Sequence, residues 1–123
     1  MKDITTRADL ELLMDDFYRR LLNDSTISFI FTDVAKIDLV HHLSVIVDFW
    51  EQNILGTGYY RRNILQVHLD LDTKERLLPK HFETWLSYFN ATVDEHFAGE
   101  KAEMIKTRAL SVATVMQIKL AAR

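Results

Sequence analysis

Cysteine is absent from the 123 residues, and the turn formers are scarce, with one proline and three glycines. Without cysteine there is no disulfide scaffold, no zinc finger, no iron–sulfur cluster and no thiol nucleophile. So few prolines and glycines exclude a turn-dense all-β sandwich, which needs a turn signal about every ten residues. Cations are not in excess either: 15 Lys and Arg stand against 18 Asp and Glu, for a net charge of −3. A nucleic-acid partner is therefore not expected, because phosphate affinity needs a surplus of Lys and Arg. Long apolar runs are missing too. Leu43 to Val47, interrupted by Ser44, falls far short of the about 20 residues that span a bilayer, so no membrane partner is expected. The opening Met1-Lys2-Asp3-Ile4-Thr5-Thr6 carries no apolar run or cleavage-like site, which sets the expectation of a cytoplasmic protein. What is abundant is apolar residue: 48% is enough for one core in a single domain over residues 1–123.

The spacing of those apolar residues is helical. Leu10, Leu13, Met14, Phe17, Tyr18, Leu21 and Leu22 form an i, i+3, i+4, i+7 stripe. Thr6 is placed to cap that helix, with Asp9 at the positive end of its dipole, and Asn23-Asp24-Ser25 favours leaving it. Ile27 to Phe31 alternates like a strand, but a lone strand among helices has nothing to pair with, so a helical turn and corner is expected. A second helix is expected from Lys36 or Asp38 to Leu55, ended by Gly56-Thr57-Gly58. Residues 59–78 carry a weaker pattern, read as a loop with a short helical piece near Asn63 to Leu69. Pro79 suits the first turn of a third helix bearing Phe82, Trp85, Leu86, Phe89 and Val93 on one face. Gly99 separates it from a fourth, with Ile105, Ala109, Val112, Ala113, Met116 and Leu120. The expected class is all-α.

The chemistry-bearing residues are the histidines His41, His42, His68, His81 and His96. No His-Glu-x-x-His occurs, and no histidine follows a glutamate by three positions, so the carboxylate metal signatures of helical bundles are missing. Gly56-Thr57-Gly58 lacks the lysine and further glycine of a phosphate loop. His68 stands out, inside the short apolar piece Ile64-Leu65-Gln66-Val67-His68-Leu69. The second helix is also unusual: His42, Ile46 and Phe49 share one face, while Leu39, Leu43, Val47, Trp50 and Ile54 share another. A helix apolar on two sides covers a core and something else, either a large apolar ligand or a partner chain.

Taken in order, several segments resemble a known family. They are Phe17-Tyr18, Phe31 thirteen residues later, His42 ahead of Phe49-Trp50, Leu55-Gly56-x-Gly58-x-Tyr60, Val67-His68-Leu69-x-Leu71, and Pro79-x-x-Phe82-x-x-Trp85-Leu86-x-x-Phe89. Together they resemble the truncated haemoglobins, specifically group III, over about Leu10 to Leu120. The double-glycine motifs of the other two groups are absent.

The resemblance implies a truncated-globin fold, a two-over-two helical sandwich around haem b (iron protoporphyrin IX). It implies His68 as the proximal metal ligand, and Tyr18, His42 and Trp85 as distal groups stabilising dioxygen, CO or NO. Phe31 would lie on the porphyrin, a role Phe29 could also fill, with Ile46, Phe49 and Leu65 lining the pocket. Tyr60 and Arg62, beside Tyr59 and Arg61, are placed for the haem propionates. His41 competes with His42, which spacing favours; His81 and His96 read as surface or supporting residues. Redox use of bound dioxygen, nitric oxide or peroxide is consistent with such a pocket, with a reductase as candidate partner. The alternative from the residues alone is a haem-free helical interaction module.

Overall fold

The computed structural model describes residues 1–31, 39–56 and 77–121. Four helices carry the fold: α1 (Arg7–Leu22), α2 (Leu39–Trp50), α3 (Pro79–His96) and α4 (Glu100–Ala121). Among the described residues there is no strand and no helix long and apolar enough to cross a membrane. Helix α1 packs on both α2 and α3, and α3 packs on α4, so two helical pairs are stacked through α1 and α3.

The N-terminus of α1 forms as its sequence suggests. Thr6 Oγ1 accepts from the Asp9 N–H at 3.3 Å, and the Asp9 carboxylate accepts from the Thr6 N–H at 3.1 Å, a reciprocal capping box. Burial raises the Asp9 carboxyl, but the Lys2 ammonium and the Thr5 and Thr6 N–H groups outweigh it and hold it far below its ordinary range. Leu10, Leu13, Met14, Phe17, Tyr18 and Leu21 are buried, and the helix stops at Asn23. Residues 28–31 are helical, as expected for the corner.

Helix α2 does not run as a regular α-helix to Leu55. From Glu51 to Leu55 it widens into a π-helical turn, closed by Gly56 at φ 73°. The Ile54 carbonyl there accepts from Lys101 Nζ at 3.0 Å, which joins the turn to α4. Arg7 donates to Asp48 at 2.7 Å and to Glu51 at 2.9 Å, holding the start of α1 against the end of α2.

The first turn of α3 is capped from inside. His81 Nδ1 accepts from the Leu78 N–H at 3.0 Å, the part a glutamate plays in a capping box. His81 is only 8% exposed, so of the two readings available for it, support of the structure is the one observed. His96, half-buried at the other end of α3, sits 2.7 Å from Asp16 of α1. Burial raises the Asp16 carboxyl, yet His96, Arg20 and Arg19 together bring it down to about 2. A carboxylate whose pKa is depressed on folding contributes stability above its unfolded pKa and loses it as pH falls. This α1–α3 junction should therefore weaken between about pH 4, the usual aspartate range, and about pH 2. Asp16→Asn should flatten the acid limb of a urea-unfolding series over that window.

One long-range cap was not visible in the sequence. Asp3 Oδ1 and Oδ2 accept from the N–H groups of Ala102 and Lys101 at 2.8 and 2.9 Å, capping α4 from 98 and 99 residues away. Gly99 permits it. At φ 140°, a Cβ on Gly99 would stand 2.6 Å from Asp3 Cγ, so any side chain expels the carboxylate. Gly99→Ala should cost roughly 1–3 kcal/mol through the strained backbone alone. Asp3→Ala should cost about 1 kcal/mol through the lost cap, both read by chemical denaturation.

Candidate functional site

The residues singled out for chemistry come from three helices and the corner after α1. Tyr18 projects inward from α1 and is 4% exposed. Its Oη lies 2.8 Å from His42 Nε2 on α2. The two rings meet edge to face at 5.0 Å, and Phe31 stands edge-on to both, at 5.7 Å from Tyr18 and 6.5 Å from His42. Phe29 instead contacts His81 at 6.2 Å, so Phe31 is the corner aromatic beside the polar pair. His41, the neighbouring residue, is exposed.

Trp85 joins this group through a shared neighbour. Phe17 packs edge-on against Tyr18 at 5.2 Å, Trp85 at 5.4 Å and Phe89 at 5.1 Å, while Trp85 stacks on Phe89 at 5.2 Å. Trp85 and Ile46 are half-buried and Phe49 is buried. His68, Leu65, Tyr60 and Arg62, with Tyr59 and Arg61, lie outside the described residues.

Burial raises the Tyr18 phenol well above its ordinary pKa, so it remains an O–H through neutral pH. How that hydrogen is used depends on His42. A neutral His42 protonated on Nδ1 accepts it at Nε2. The other tautomer donates Nε2–H to the phenol oxygen and leaves the Tyr18 hydrogen available to a third group.

A residue that sequence reasoning assigned to plain packing adds to the picture. Trp50, 2% exposed, is wedged between Phe49 at 4.8 Å and Phe89 at 5.5 Å, and its indole N–H has no hydrogen-bond partner among the described residues. A buried donor left so costs about 1–3 kcal/mol, and its position eight residues after His42 was the available signal. The interior thus combines aromatic walls with the paired polar groups of Tyr18 and His42, the chemistry suited to a flat apolar group and a small acceptor bound beside it. The residues present fit a porphyrin.

A second polar cluster does not act this way. Asp16, Glu95 and His96 bring ligand atoms within 4.8 Å of one another, but Arg19 and Arg20 occupy the carboxylates, making an ion-pair network between α1 and α3.

No protein-family model matches the chain. It is 29% identical over 108 residues to the group 3 truncated hemoglobin ctb of Campylobacter jejuni, covering 85% of this chain and 83% of that one. The crystal structure of a group III truncated hemoglobin from Campylobacter jejuni superposes with a TM-score of 0.85 at 27% identity, covering 98% of this chain and 95% of that chain. The chain is similar in both sequence and fold to the group III truncated haemoglobins. The expected all-α truncated-globin fold is therefore the one observed. In this chain, Tyr18, Phe31 and His42 are the predicted site residues brought into mutual contact, with Trp85 one ring away across Phe17.

Proposed function

We propose that this globin binds haem b, with His68 as the iron's protein ligand and Tyr18, His42 and Trp85 on the opposite side. The haem would then take dioxygen, CO and NO. The observation that carries the reading is the Tyr18–His42 pair at 2.8 Å, with Tyr18 buried beside Phe31 in an aromatic interior. A surface-binding module has no use for a phenol and an imidazole paired in its interior. A haem protein does, because a diatomic ligand polarised by iron presents a small, negatively polarised acceptor to that side of the site.

Each group has its own part. Tyr18 offers a neutral O–H at the end of a ring fixed by Phe17 and Phe31, so little freedom is lost when it donates. His42 sets whether that hydrogen is shared with Nε2 or turned toward the ligand. The indole N–H of Trp85 can only donate, and it makes no hydrogen bond to any described residue, so it is available to the same acceptor. Hydrogen bonds to a charge-bearing acceptor are worth roughly 1.5–3 kcal/mol each. Two of them would hold dioxygen too long for a store that must release it, which favours ligand sensing or redox use of the bound gas over storage.

Optical spectra of the purified protein in ferric, ferrous and CO-bound forms test the reading directly. A Soret band that shifts on reduction and again on CO addition is the expected result. A folded protein that stays colourless after hemin addition would overturn it and favour the haem-free interaction module.

A further inference from the structure

On the side of α2 opposite His42, the helix meets α1 along an open groove of about 440 Å³. Its apolar lining comes from both helices: Leu12, 52% exposed, on α1 and Val40, 80% exposed, on α2, over a floor of Leu43 and Val47. Side chains this exposed on two facing helices are not needed to hold α1 to α2, because Leu13, Phe17, Val47 and Trp50 are buried at the core.

The rim of the groove is acidic. Glu11 and Asp15 lie one turn apart on α1 and make no hydrogen bond or ion pair with any described residue. Other exposed acids on α3 and α4, Asp94, Glu95 and Glu103, each have a cationic partner. Among the described residues lining the groove, the one cation, Arg7, is already shared between Asp48 and Glu51. Among the described residues, the groove is lined by the unpaired carboxylates Glu11 and Asp15, and its guanidinium is already neutralised by Asp48 and Glu51, so the rim is net acidic beside an exposed apolar slot. Such a rim attracts cations, and the slot rewards an apolar side chain carried with them.

We propose that the α1–α2 groove docks a basic amphipathic helix of a partner protein. Its apolar side chains would seat between Leu12 and Val40, and its lysines or arginines would pair with Glu11 and Asp15. A helix laid in a groove between two helices is a common mode of peptide recognition, and the charges set its register. The proposal stands independently of haem, since the groove uses the outer face of α2.

The test uses the full-length purified protein and a 14-residue helical peptide of leucine and lysine arranged amphipathically, followed by calorimetry and by amide chemical shifts. Binding should perturb Glu11, Leu12, Asp15, Val40 and Ser44 and weaken at least tenfold between low and physiological salt, in line with screening of the rim charges. Glu11→Lys with Asp15→Lys should weaken it at least tenfold, whereas Glu83→Lys on α3 should leave it unchanged. Val40→Ser, conservative for folding at so exposed a position, should also weaken it. A serine–lysine peptide of equal charge should bind at least tenfold less tightly. Shifts spread over other acidic residues, an equal effect of Glu83→Lys, or equal binding by the serine–lysine peptide would each overturn the proposal. So would concentration-dependent dimerisation, seen by sedimentation, that the Val40→Ser change abolishes, because the groove would then belong to a second copy of the chain.

Discussion

His68→Ala is expected to lose haem at least tenfold faster than the parent protein and to lose the five-coordinate ferrous spectrum, while its helical circular dichroism stays unchanged. The expectation follows from where the other imidazoles are. His81 Nδ1 accepts the Leu78 N–H, His96 Nε2 is held by Asp16, and His42 Nε2 is paired with Tyr18 on the opposite side of the proposed site. His41 is exposed on the outer side of α2. Each has a position that explains it without a metal. An axial imidazole sets both retention and spin state of the iron, so its removal should be read in the spectrum before it is read in stability. Imidazole added to the solution should enter the cavity left by the ring and restore the spectrum, an outcome that a merely structural role for His68 does not produce. His81→Ala is the contrasting case: haem stays, and the helix loses a cap worth about 1 kcal/mol. Unchanged haem retention and an unchanged ferrous spectrum in His68→Ala would transfer the ligand role to another residue.

The helices were legible because each buries one stripe. Leu10 to Leu21 on α1 and Ile105, Ala109, Ala113 and Met116 on α4 recur at helical spacing, and all are buried. Thr6 and Pro79 marked the starts of their helices for local reasons, a side-chain acceptor and a fixed φ. What escaped the sequence was non-local. Asp3 caps a helix that begins 97 residues later, and nothing near it signals that task. The widening of α2 at Glu51–Leu55 has no marker such as proline, and its carbonyls are served in part by Lys101 from another helix. For the site, spacing distinguished His42 from His41, because only one of two adjacent positions on a helix can face the interior. It could not separate Phe29 from Phe31, which leave the same short corner in different directions. Nor could it reveal that Trp50 would bury an indole N–H without an acceptor among the described residues, since periodicity reports which face a residue occupies and says nothing of its polar atom.

Tyr18→Phe should speed dioxygen release from the haem-loaded protein by about 10- to 100-fold, the equivalent of one hydrogen bond to a charge-bearing acceptor. The substitution is a clean one. The ring keeps its edge contacts with Phe17 and Phe31, and only the hydroxyl that meets His42 disappears, so the melting temperature should move by a few degrees at most. Because burial raises the phenol, Tyr18 stays protonated, and its contribution to the release rate should be flat from about pH 6 to pH 9. His42 meets that hydroxyl, so if the imidazole itself reaches the ligand, His42→Leu should alter the release rate even when Tyr18 is already phenylalanine. Trp85→Phe removes a second donor while preserving the stack on Phe89. If the two donors reach the same acceptor, the double variant should release dioxygen faster than either single variant, by less than the product of the two effects. An off-rate altered by less than about twofold in both single variants would mean that neither hydrogen reaches the ligand, since a hydrogen bond of this kind should cost more than 1 kcal/mol to lose.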